Sequence, residues 1–138
     1  MKQKITELSH NDLVNILSTA LYGCDFLSAS YDHDFYNNLN DSQKQGNCFE
    51  DALADVLLNG GAITVIDYYA EGDVNGKRGK LIDDDNAEYT LTLQDFLDGC
   101  STREGHHYVV ELLVEEDGDY YTANNLLQII MFGEVIYG

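Results

Sequence analysis

Seven basic side chains cannot neutralise twenty-five carboxylates, and that imbalance constrains this chain more than any other feature. Paired one to one, they leave eighteen acids over, which is the formal net charge of −18. An unpaired carboxylate is too costly to bury. The acids must therefore face water while the apolar residues find a common interior. The apolar supply is sufficient: 44% of the residues are hydrophobic, with ten Tyr and five Phe. This separates the chain from disordered acidic tails, which lack aromatics. A length of 138 residues suits one domain over 1–138.

There is no proline, so turns fall to Gly, Asn and Asp. Lys4 to Leu8 reads as a short strand or an extended lead-in. Ser9 and Asp12 form a capping-box pattern ahead of Leu13, Ile16, Leu17, Ala20 and Leu21 at helical spacing, with Gly23 as the stop. Residues 25–41, aromatic and acidic, read as a loop with a helical turn around Phe35. A second helix carries Phe49, Leu53, Val56 and Leu57, with Asn47 or Ser42 as its cap and Gly60-Gly61 as its end. Ala62 to Ala70 has the β-branched and aromatic content of a strand. Asn75-Gly76 signals a hairpin. Two short strands, Gly79 to Ile82 and Glu88 to Leu91, flank an Asp83–Asn86 tip. Thr92 caps a helix through Asp98, ended by Gly99. His106 to Val114 leans to helix, and Thr122 caps a last, nearly all-apolar helix to Phe132. The expected fold is α+β: a small antiparallel sheet with helices packed on one face.

No lysine or arginine falls between Ile5 and Gln43, between Gln45 and Gly76, or after Arg103. Four acidic clusters stand in those gaps and at the tip: Asp32 and Asp34; Glu50, Asp51 and Asp55; Asp83, Asp84, Asp85 and Glu88; Glu115, Glu116, Asp117 and Asp119. Asp51 and Asp55, one turn apart, are expected on one exposed helix face, where like charges destabilise. The calcium-loop pattern is missing: Asp83-Asp84-Asp85-Asn86 has no Gly or Glu in register, and Asp117-Gly118-Asp119 is too short. Net charge of this sign disfavours DNA, RNA and anionic membranes as direct partners and favours a basic protein surface. The opening residues lack the apolar run of a signal peptide, and no apolar stretch is long enough to span a bilayer. Sparse, unpaired cysteine then suggests the cytoplasm.

No phosphate loop, serine elbow or HExxH is present, so no enzyme is expected. Cys48, at a helix N-terminus, would be the nucleophile if there were one, but acidic surroundings oppose a thiolate. No cofactor is expected. Should zinc be bound, its ligands would be Cys24, Cys48, Cys100 and His107, with His33 or His106 as substitutes, brought together only by folding because the cysteines lie 24 and 52 residues apart.

The stretch GNCFEDALADVLLNGGAITVIDYYAEG (46–72) and the closing LLQIIMFGEVIYG (126–138) resemble small acidic proteins encoded on mobile elements of gut bacteria. Some of these are anti-CRISPR inhibitors of the type II effector nuclease. The resemblance covers about a third of the chain and carries no diagnostic motif. It implies binding to the nuclease and blocking of guide or target DNA, which such effectors hold in a positively charged channel. An acidic DNA mimic suits that channel. The same charge would serve an immunity protein against a co-encoded basic toxin. An adaptor module, using the tyrosines of 31–36, is the remaining alternative.

Overall fold

A computed structural model describes residues 4–74 and 79–138. The Asn75-Gly76 hairpin signal lies outside them. The elements run α1 (His10–Leu21), β1 (Leu27–Tyr31), α2 (His33–Asn37), α3 (Phe49–Leu58), β2 (Ala62–Asp67), β3 (Gly79–Leu81), β4 (Ala87–Thr92), α4 (Leu93–Ser101), α5 (Arg103–Val109) and α6 (Tyr120–Phe132). The strands form one antiparallel sheet in the order β1-β2-β4-β3. The fold is α+β.

Alternation of side chains sets the sheet's two faces. Ile63, Val65 and Asp67 of β2 are buried, and so are Ala87, Tyr89 and Leu91 of β4. The register pairs Ile63 with Leu91, Val65 with Tyr89 and Asp67 with Ala87, so these six residues share one face. That face and Leu13, Ile16 and Leu17 of α1, Leu53, Val56 and Leu57 of α3, Phe96 of α4 and Leu126, Leu127 and Ile130 of α6 form one core. Asp67 is tolerated there because it is fully bonded. It accepts from the Tyr137 hydroxyl at 2.7 Å and from the Tyr69 amide at 2.9 Å.

Helix α1 begins where the capping box places it, with Ser9 accepting from the Asp12 amide and Asp12 from the Ser9 amide. Of the two readings of Lys4 to Leu8 the lead-in holds: it joins no strand among the described residues, and the Ile5 amide is held by Ser101 Oγ. Several other elements depart from the sequence reading. Residues 27–31 are a strand, not a loop, and the helical turn at Phe35 follows as α2. Strand β2 stops at Asp67, three residues short of Ala70, and Tyr68 and Tyr69 turn outward. The cap of α3 is Cys48, not Asn47 or Ser42. Helix α4 passes through Gly99 to Ser101, because Gly99 lies against Ile130 of α6, where a Cβ would overlap. The 106–114 segment is helical to Val109, then widens into a π-turn. Helix α6 starts at Tyr120 with Asp119 as its cap; Thr122 donates its amide to that cap. It is buried nearly all round, but through Asn124 and Gln128 as well as its apolar residues. No helix among the described residues is long and apolar enough to cross a membrane.

Candidate functional site

Residues from β1 to α3, with the first residue of α1, bring a His–Asp triad and an aromatic face together. At the base lies the largely buried triad of His10, Asp51 and Asp55. His10, the first residue of α1, donates from Nε2 to Asp51 Oδ1 at 2.7 Å. Its Nδ1 faces Asp55 Oδ1 at 3.4 Å. Asp55 has no exposed surface and His10 only 9%. Among the described residues, the two facing atoms, His10 Nδ1 and Asp55 Oδ1, have no hydrogen-bond partner. The remaining carboxylate oxygens hold backbone: Asp51 Oδ2 accepts from the Cys48 amide at 3.1 Å, and Asp55 Oδ2 accepts from the Gln45 amide at 3.1 Å. Gly46 is required between them, since a Cβ there would overlap the Asp51 carboxylate. The triad therefore pins the 44–48 loop onto helices α1 and α3. Burial raises the pKa of Asp55; the Gln45 amide opposes that shift by its hydrogen bond and His10 opposes it by charge.

Above the triad lies an aromatic face. The Tyr31 ring meets those of His33 at 4.6 Å, Tyr36 at 5.4 Å and Phe49 at 5.8 Å between centroids. Phe49 remains 46% exposed. Phe35, by contrast, packs inward against Gly61 and Val56, where a Cβ on Gly61 would collide with its ring. Lys44 Nζ sits 4.7 Å from the Tyr36 centroid, a cation–π contact. Asp32 caps α2 through Oδ1, accepting from the amides of Asp34 and Phe35, and both acids are exposed. Burial raises the pKa of Tyr36, with Asp55, Tyr31 and Asp51 adding to the shift.

The acidic clusters thus divide between structure and surface. Asp55 is buried and Asp51 half-buried in the triad, so the expectation that both lie on an exposed face is corrected: each is held by His10, a partner that lies 41 residues from Asp51 in sequence. Glu50 is half-buried. Asp83 accepts from the Asp85 and Asn86 amides and from Asn86 Nδ2, which lowers its pKa and shapes the β3–β4 tip. Asp84 and Asp85 stand exposed beside it. Glu88 pairs with Lys80 at 3.0 Å. Glu115, Glu116 and Asp117 are exposed after the π-turn, and Asp119 caps α6.

The four zinc candidates are scattered among different roles. Cys24 takes a weak hydrogen bond from Asn124 Nδ2 at 3.7 Å. Cys48 is exposed at the head of α3, and both ring nitrogens of the nearby His10 are turned to Asp51 and Asp55. Cys100 is in the core, where burial pushes its thiol up to about 12. His107 is exposed on α5, its ring 5.7 Å from that of Tyr108. Among the described residues, no group of three or more His, Cys, Asp or Glu side chains is placed to hold a metal ion.

The triad escaped the sequence reading because it joins residues from separate helices. The sequence reading gave His10 no role, and nothing local marks its partners. Comparison with protein-family models, with curated proteins and with solved structures gives no match.

Proposed function

We propose that this protein is an acidic inhibitor that occupies the basic nucleic-acid groove of a nuclease, a type II CRISPR effector, and blocks its DNA binding as a DNA mimic. The observation that carries this reading is the excess of eighteen carboxylates over cations, on a folded scaffold that leaves Asp32, Asp34, Asp84, Asp85, Glu115, Glu116 and Asp117 exposed. Self-repulsion of that size works against folding, and a basic partner turns it into attraction. Duplex DNA presents one charge per about 1.7 Å of axis. Exposed carboxylates on a rigid domain offer an arginine-lined channel a field of the same sign. The reading involves no catalytic step and no cofactor, and it places the protein in the cytoplasm with its target.

The test is target-DNA cleavage by a guide-loaded type II effector, with and without the protein, at about 0.1 M and about 0.5 M salt. Inhibition at the lower salt that weakens at the higher, and weakens again in Asp84→Lys/Asp85→Lys, is the expected result. Full cleavage at both salts, with no complex recovered at either, overturns it.

A further inference from the structure

Given a basic partner, as proposed above, we infer that the Tyr31–Tyr36–Phe49 face is the docking surface for its arginines, with guanidinium planes stacking on the rings while Asp32 and Asp34 accept their N–H groups. Three observations converge there. First, the rings form a continuous surface, Tyr31 touching His33, Tyr36 and Phe49. The core does not need Phe49, which stays 46% exposed although it opens a helix. Second, the surface already takes a cation: Lys44 lies over the Tyr36 ring at 4.7 Å. Third, the frame is preorganised. The triad fixes the Gln45 and Cys48 amides, and Asp32 fixes the first turn of α2. Binding therefore orders little backbone, which is where docking surfaces usually lose affinity.

Arginine suits this face better than lysine. Its guanidinium is planar, weakly hydrated and able to stack on an aromatic ring while its edge donates to a carboxylate. A lysine gains from the acids and from the field of a ring, as Lys44 does over Tyr36, but has no plane to stack and so gains less. The acids supply long-range attraction, and the rings supply the preference.

The test uses two peptides of equal length, oligo-arginine and oligo-lysine, titrated into the isotope-labelled protein and followed by its amide resonances. The expected result is that oligo-arginine moves residues 31–36 and 44–50 and binds about fivefold tighter than oligo-lysine. Phe49→Ser removes most of that preference, lowering oligo-arginine affinity more than oligo-lysine affinity. Phe49→Leu, which keeps an apolar side chain but no ring, also removes most of it, and unchanged resonances in the core verify folding in both variants. Equal affinities for the two peptides, or shifts confined to Asp83–Asp85 or 115–117, overturn the assignment. No nuclease is present, so this outcome and that of the effector assay are read independently.

Discussion

Asp55 is a carboxylate with no exposed surface, facing a histidine nitrogen that has no hydrogen-bond partner among the described residues. Removing His10 would leave Asp51 and Asp55 facing one another without the imidazole between them. Loss of a partner that hydrogen-bonds a carboxylate in a largely buried cluster typically costs about 1–3 kcal/mol. His10→Ala should therefore lower unfolding free energy by about that amount in urea denaturation, and an unchanged midpoint would contradict the triad. The pH dependence has a definite sign. Burial raises the pKa of Asp55 above the ordinary 3.8. The stability it contributes is thus present below the ordinary value and lost as pH rises through the raised one. Asp55→Asn, which cannot titrate, should show a smaller loss over that interval; parallel stability curves for the two proteins would contradict it. Asp83, whose pKa is lowered by the Asp85 and Asn86 amides, works in the opposite sense. Its contribution is present above 3.8 and lost as pH falls through its lowered value.

The elements with local signals were legible in the sequence. The Ser9–Asp12 box starts α1, the Gly60-Gly61 pair follows α3, and the β-branched run at 62–67 forms β2. Strand β1 was not legible, because Leu27–Tyr31 (LSASY) is short and weakly apolar; it is a strand because its register against β2 satisfies the backbone. Gly99 reads as a helix stop by composition, yet tertiary contact with Ile130 keeps it helical. The true stop is the elbow at Thr102, which ends α4 and caps α5, donating Oγ1–H to the Gly99 carbonyl and accepting from the Gly105 amide at 3.0 Å each. A Cβ on Gly105 would overlap the Gly99 carbonyl, and backbone cannot move aside cheaply. Gly105→Ala should cost about 3 kcal/mol by overpacking, and Thr102→Ala about 1 kcal/mol by loss of a cap. Thermal unfolding of both variants checks the order; a Gly105→Ala protein as stable as the parent would contradict this close approach.

At the scale of the whole molecule, the charge excess was legible in the sequence, but the burial of Asp55 and part-burial of Asp51 were not. Several of the acids are structural: Asp12, Asp51 and Asp95 close capping boxes, and Asp32 and Asp119 cap helices. Carboxylates at helix N-termini are favoured by the helix dipole, so a chain poor in cations still finds uses for acids in its fold. The exposed remainder repels itself, and added salt should raise the melting temperature by screening it, an effect expected to level off as the Debye length falls to a few ångströms. The central claim is that this remainder mimics DNA for a basic groove. Its most direct test is the dissociation constant for the guide-loaded effector measured across a salt series. A steep linear fall of log affinity with log salt, together with displacement of bound protein by target duplex, is the result the account predicts. A flat salt dependence, or binding that target duplex cannot displace, would contradict it.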